Sequence, residues 1–362
     1  MIGARVTRAL LAVALACGAG EATVRLVHLH ELDPPELLDE QRRLIGDLSE
    51  ITWFFGREGQ APPPGSLTQI APGSLSYGWY DRPRWSYFDA LGCVEYRMNS
   101  LGFRDRDFPL EKPAGELRVI AVGDSFTFAA GVNLADCWVQ RLEKKLAAAR
   151  GAPVEVVNAG FARGFRPESY ATWLAEQGMR LDPDALIIGF CLNDIATEIP
   201  MWVPLAPEFT PWLGGRSELL TALQRVVARW RGTLVAAPSA PIKARRIVAA
   251  HPEEWERARA GLRSLRDQMK ARGGRAVVAI LPMFSQLASG YLFHELHALV
   301  RDFCAAEAIE CVDLLPAFLG SDERELWVHP HDQHPNDIGQ ERIASTLAAW
   351  FADHPLQPLA PH

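Results

Sequence analysis

Cysteine is scarce in this chain and poorly spaced for metal. Six cysteines occur in 362 residues, too few for a disulfide scaffold. None forms a C-x-x-C pair, which argues against a structural zinc site. No long basic tract is present, and Asp plus Glu outnumber Lys plus Arg by 44 to 37, for a formal charge of -7. A dedicated nucleic-acid binder is therefore not expected. Internal repeats are lacking too. What is present is 48% apolar and 22% charged, a balance that can bury a core. The length suits one large domain with an elaboration.

The N-terminus reads as a targeting segment, residues 1–28. Arg5 and Arg8 precede an apolar run from Ala9 to Ala19, the layout of a secretory signal. The run is shorter than the ~20 residues that comfortably span a bilayer. Ala14-Leu15-Ala16 offers an A-x-A cleavage pattern that would make Cys17 the new N-terminus, a position for lipid attachment. An uncleaved anchor is the other reading, because helical periodicity continues through Glu21, Val24, Arg25 and Leu26. Either reading exports the rest of the chain to the periplasmic or extracellular face, since Arg5 and Arg8 favour the inner side. Outside the cytoplasm Cys93, Cys137, Cys191, Cys304 and Cys311 could oxidise, and an odd number leaves at least one thiol.

Residues 29–115 lack a strong period and read as an N-terminal elaboration with a few strands. They carry the stiff loop Ala61-Pro62-Pro63-Pro64-Gly65 and an aromatic-rich stretch from Tyr77 to Phe88. From residue 116 to 354 the pattern changes to strands alternating with helices. Apolar runs at 117–122, 154–157, 185–190, 276–281 and 309–313 read as five buried strands. Helical faces follow from Trp138, Leu142 and Leu146; from residues 168–180; from Trp255, Leu262, Leu265 and Met269; and from Ile343, Leu347, Trp350 and Phe351. Alternation of this kind argues for an α/β fold with a parallel sheet covered on both faces. Its sites lie past the C-terminal ends of the strands.

Polar residues sit at those places. Ser125 follows the first strand, Gly160 the second and Asn193 the third, while Asp332 and His334 precede the last helix. A serine hydroxyl needs a base, and a histidine can take its proton. A carboxylate fixes the imidazole tautomer and stabilises its charged form. The developing oxyanion needs donors already in place, here the Ser125 and Gly160 N–H groups and the Asn193 amide. Each residue also has a bland reading: Asp124 or Ser125 as a helix cap, Gly160 as a turn glycine with φ > 0, Asn193 as a turn residue, His334 as a surface histidine.

Taken together, Gly123-Asp124-Ser125-Phe126, Asn158-Ala159-Gly160, Leu192-Asn193-Asp194 and Asp332 to His334 resemble the four ordered blocks of the SGNH/GDSL hydrolases. Tyr96-Arg97-Met98-Asn99-Ser100-Leu101-Gly102-Phe103-Arg104-Asp105 resembles a lead-in found in bacterial, membrane-associated members. The resemblance covers about residues 96–350. It implies a flavodoxin-like three-layer α/β/α sandwich with a five-stranded parallel sheet. It also implies hydrolysis of carboxylic esters without metal or cofactor, Ser125 acting as nucleophile. Two departures stand out. The family usually places the acid three residues before the histidine, where His331 stands; Asp332 is two before, and Asp313 is the reserve acid. Ala129 occupies a position often held by glycine, which would tighten the pocket mouth, although Gly131 follows.

Other features have weaker functional readings. His329, His331 and His334 form a loop cluster, but no H-E-x-x-H helix exists; His294-Glu295-Leu296-His297 has the wrong spacing for zinc. Asp194 reads as a carboxylate that holds its loop, and Arg163 and Arg166 as solvated or salt-bridged. The connection 196–275 is long and reads as an insert shaping the substrate site. It holds Met201, Trp202 and Trp212, and an apolar face of Leu219, Leu220, Leu223, Val226, Val227 and Trp230 flanked by Arg225, Arg229 and Arg231. Packing is the simpler role for both.

Three functions follow in order of weight. The first is an exported esterase acting on an acyl-ester substrate, glycan or lipid, in the cell envelope. It would be tethered to the membrane through its N-terminus. The second is an O-acyltransferase acting on an envelope polysaccharide. The third is a non-catalytic envelope binding protein.

Overall fold

The computed structural model describes residues 67–359, apart from 69–71, 81–83, 162–164, 197–198, 200–242, 289 and 330–331. Residues 1–28, read above as a targeting segment, and Ala61 to Gly65, Arg163, Met201, Trp202, Trp212, residues 219–231 and His331 lie outside the described residues. Among the described residues no helix is long and apolar enough to cross a membrane.

An antiparallel pair comes first, β1 (Leu75–Trp79) and β2 (Cys93–Arg97), with Gly78 opposite Val94. The five-stranded sheet follows: β3 (Leu117–Gly123), β4 (Val154–Gly160), β5 (Ala185–Cys191), β6 (Arg275–Leu281) and β7 (Glu310–Asp313). All neighbours are parallel, in the order β4-β3-β5-β6-β7. Every residue of β3 and β5 is buried, as expected for strands covered on both faces. All five expected strands form; the second runs on to Gly160, which ends the strand instead of following it.

The helices supply the outer layers of an α/β/α sandwich. After β3 comes the short α1 (Ser125–Phe128), then α2 (Trp138–Arg150), α3 (Pro167–Glu176), α4 (Ala244–Ala250), α5 (Pro252–Ala271), α6 (His294–Ala306) and α7 (Asp337–Asp353). Trp138, Leu142, Trp255, Leu262, Leu265, Met269, Ile343 and Leu347 are buried, as their spacing predicts. Trp350 is only half-buried, stacked on His354. The end of the 196–275 connection is thus the crossover helix α5 that packs on α3. A second antiparallel pair, β8 (Trp327–His329) and β9 (Asp332–Pro335), leads into α7. Asn336 stops β9 and caps α7, its Oδ1 accepting the Gly339 N–H at 3.0 Å.

In this order β4 and β5 flank β3, and the chain winds away from β3 in both directions. Ligands of open α/β sheets bind at such a switch point. Three glycines cross the strand ends there in register, Gly123 opposite both Gly160 and Gly189. Their missing side chains let α1 settle onto the sheet. A Cβ on Gly160 would lie 2.1 Å from the Phe128 nitrogen, and one on Gly189 2.2 Å from Thr127 Oγ1. Gly160 is therefore required by close approach and not by a positive φ.

β4 is an edge strand, and two carboxylates cover it. Glu143 accepts the Val156 N–H at 3.0 Å and Asp105 the Asn158 N–H at 2.8 Å. Arg106 bridges Glu143 and Glu155. Backbone donors of an edge left unpaired invite strand pairing with other chains. Burial pushes the Asp105 carboxyl up to about 7 and, with Glu143 beside it, Glu155 up to about 8.

The aromatic stretch packs on the turn after α1. Tyr80, Phe88, Val94, Tyr96 and Met98 cluster with Phe128, Ala129, Val132 and Val328. Arg104, buried beneath them, donates to the Phe128 carbonyl at 2.6 Å, the Ala129 carbonyl at 2.5 Å and the Val132 carbonyl. Ala129 takes φ 62, a left-handed conformation that ends α1. It is fully buried, so this position closes the helix and does not line a pocket mouth.

Two predictions follow from these supports. Asp105 and Glu155 therefore titrate in the folded chain above the ordinary carboxylate range. The stability they contribute is complete below the ordinary carboxylate range, ~4, and is lost as pH rises through 7 to 8. Melting temperature should fall by a few degrees between pH 6 and pH 9, and Glu155→Gln should flatten that slope. Arg104→Lys cannot span three carbonyls and should cost about 2 kcal/mol in denaturant unfolding.

Candidate active site

Asp124 and Ser125 begin α1 together. Asp124 Oδ1 accepts the Phe126 N–H at 2.9 Å, so the capping role expected of this residue type is filled by Asp124. That cap leaves the Ser125 side chain at the rim of the sheet. Within 121–130 only Ser125 is not buried; within β4 only Gly160; within 185–196 only Asn193. These three residues open to solvent at the ends of three adjacent strands.

His334 reaches Ser125 from β9. Its Nε2 lies 2.8 Å from Ser125 Oγ, and its Nδ1 lies 2.5 Å from Asp332 Oδ1. The His334 backbone N–H also donates to that carboxylate oxygen, at 3.0 Å. The two-residue spacing, shorter than the usual three, follows from β9 itself. Residues i and i+2 of a strand face the same way, so an extended Asp-x-His brings carboxylate and ring together. Burial alone would raise the Asp332 pKa. The His334 charge and hydrogen bond, with a bond from Tyr80, hold it below the usual carboxylate range. An ionised Asp332 accepts from Nδ1–H, which leaves Nε2 to accept from the serine hydroxyl.

Asp313, the reserve acid, is engaged elsewhere. Its Oδ1 faces His297 Nδ1 at 2.8 Å and accepts the Leu315 N–H, and its Oδ2 pairs with Arg301. The other ring nitrogen of His297 faces the Tyr291 hydroxyl at 2.9 Å. The histidine of the 294–297 segment nearest a metal pattern is therefore occupied by protein groups, and so are both nitrogens of His334.

The loop after β5 places Asn193 beside Asp124, its Nδ2 donating to Asp124 Oδ2 at 3.2 Å. An amide nitrogen carries two donors, so one remains for a ligand. Gly160 donates its N–H to Asn158 Oδ1 at 3.0 Å. Asp194 accepts from the Cys191 N–H at 3.2 Å and the Tyr170 hydroxyl at 3.4 Å, which ties the loop down. Burial first and the charge of Asp124 second push Asp194 well above the usual carboxylate range. Arg166 is ion-paired with Glu254 at 2.7 Å. None of the five described cysteines is in a disulfide.

One residue at this site escaped the sequence reading. Tyr80, just past β1, donates its hydroxyl to Asp332 Oδ2 at 2.7 Å, across 252 residues of chain. The aromatic richness of 77–88 was visible, but no local pattern couples a tyrosine to so distant a carboxylate.

Residues 121–342 match the GDSL-like lipase/acylhydrolase family. No curated protein matches the chain. Similar solved structures include a putative lipolytic protein of the G-D-S-L family from Desulfitobacterium hafniense, with 14% identity and a TM-score of 0.41 over 64% of this chain and 98% of that one. A lipase/acylhydrolase from Enterococcus faecalis is 16% identical, with a TM-score of 0.42 over 68% of this chain and 100% of that one. An esterase, EstA, from Pseudoalteromonas is 13% identical, with a TM-score of 0.40 over 66% and 97%. With its family blocks carried at the ends of a five-stranded parallel sheet, the chain belongs to the GDSL-like lipase/acylhydrolase family and is a carboxylic ester hydrolase.

Proposed function

We propose that the protein hydrolyses acyl esters of the cell envelope, glycan or lipid, through an acyl-enzyme on Ser125. The observation that carries this reading is the hydrogen-bonded line Ser125–His334–Asp332 at a solvent-open strand edge. His334 Nε2 takes the serine proton as Oγ attacks the acyl carbonyl. Asp332 holds the ring in the Nδ1–H form and offsets its charge. The oxyanion gathers donors from the Ser125 and Gly160 N–H groups and the second N–H of Asn193. The Gly160 N–H now serves the neutral Asn158 amide, and a full negative charge is the stronger acceptor. The alcohol departs with the proton from His334. Water then repeats the sequence on the acyl-enzyme, delivering its own proton to Nε2.

The envelope setting rests on the N-terminal residues. Arg5, Arg8 and the Ala9–Ala19 run support export. The esterase reading needs no metal: it uses only groups this chain supplies.

Purified protein given p-nitrophenyl acetate should show a transient acetyl adduct on Ser125 by intact mass, with steady turnover. Ser125→Ala should lose the adduct and at least ~10³-fold in kcat; wild-type turnover in that variant overturns the assignment. An adduct that clears only when a glycan acceptor is added would move the assignment to acyl transfer. For export, residues 1–28 fused to a phosphatase reporter that folds only outside the cytoplasm should give active reporter. An inactive reporter overturns the envelope setting.

A further inference from the structure

Asp332 is a buried carboxylate with two oxygens to satisfy. Oδ1 takes the His334 ring and backbone donors. Oδ2 takes the Tyr80 hydroxyl, and that donor comes from outside the sheet and the loops around it. Tyr80 is itself held. The Tyr96 hydroxyl on β2 accepts the Gly131 N–H at 2.8 Å and bonds the Tyr80 hydroxyl. Gly131 has φ +81, and a Cβ there would lie 2.9 Å from the Tyr80 oxygen, so the missing side chain makes room for this contact. The line thus runs from the turn after the nucleophile, through two tyrosines, to Asp332, His334 and back to Ser125.

We infer that Tyr80 is a positioning residue of the acyl-transfer site, its hydroxyl orienting Asp332 and moderating the carboxylate's pull on His334. The inference rests on the Ser125–His334–Asp332 reading above. A hydrogen bond to one carboxylate oxygen withdraws charge from the other. Removing it leaves Oδ2 bare in a buried site and concentrates charge on Oδ1. His334 then keeps its proton to higher pH, and the base is lost sooner on acidification. The titratable neighbours are Tyr96 from β2, Tyr87 from the same stretch, His329 from β8 with its ring 5.8 Å from that of Tyr80, and Asp124 beyond His334. Burial and the adjacent Asp332 keep the Tyr80 hydroxyl protonated throughout the working range. The tyrosine is therefore a constant donor, and the titration that moves is that of the histidine.

The test follows the rate of Ser125 modification by a fluorophosphonate across pH 5 to 9. In this step Oγ bonds to phosphorus, fluoride leaves and the proton passes to His334, so the readout is independent of the natural ester. The full chain is compared with Tyr80→Phe, Tyr96→Phe, Phe88→Ala and Ser125→Ala. Tyr80→Phe keeps the ring in its cluster. It should lower the second-order rate about tenfold and move the acidic limb up by about half a pH unit. Tyr96→Phe should shift the limb less, because it reaches Asp332 only through Tyr80. Phe88→Ala loosens the same cluster without touching Asp332; it should lower the melting temperature and leave the limb in place. A Tyr80→Phe protein with the wild-type limb, whether or not its rate falls, overturns the inference by reducing Tyr80 to packing. Labelling that persists in Ser125→Ala overturns the underlying site assignment, and the inference with it.

Discussion

A guanidinium with no carboxylate partner among the described residues lies against the end of α1. Arg104 is 2% exposed, and its two terminal nitrogens donate to the Phe128 carbonyl that ends α1 and to the Ala129 and Val132 carbonyls after it. The rings of Tyr96 and Phe128 lie 4.6 and 4.8 Å from its centre. A buried cation is tolerated only where dipoles and π faces replace its water. Here the replacement is the turn that carries Ala129 in its left-handed conformation, so cation and turn each require the other. Ser125 begins the helix that this turn closes, and the placement of its side chain inherits the rigidity of the pair.

The remaining site groups arrive by two different routes. Ser125, Gly160 and Asn193 come from consecutive ends of a parallel sheet, where the glycine row lets α1 approach the strands. His334 and Asp332 come from a short antiparallel strand outside that sheet, set by the alternation of side chains along it. The first route fixes depth, the second fixes direction. Burial then sharpens the electrostatics, since Asp332 and Asp124 are both removed from water and each finds its compensation in named donors.

The sheet was legible because β3 to β6 are buried almost throughout and therefore read as short, mostly apolar runs. Ser125, Gly160, Asn193 and His334 were legible because strand ends and short blocks carry them. Asp332 looked misplaced only while the segment before α7 was treated as a loop; as a strand it needs the spacing it has. The bland reading of Gly160, a turn glycine with φ > 0, gives way to a different constraint, the backbone of Phe128 across the fold. Tyr80 and Arg104 were not legible as site supports. Each acts through contacts with residues distant in sequence, and neither leaves a periodic trace. Ala129 was read as a change at the pocket because its backbone conformation cannot be seen in a string of letters.

The part of the chain that matches the family begins at residue 121, but the groups that neutralise, brace and fill the back of the site begin some forty positions earlier. The inherited block and the physical block are therefore not the same length. Grafting the motif-bearing portion onto a new partner would transfer the chemistry's vocabulary without the grammar that orders it.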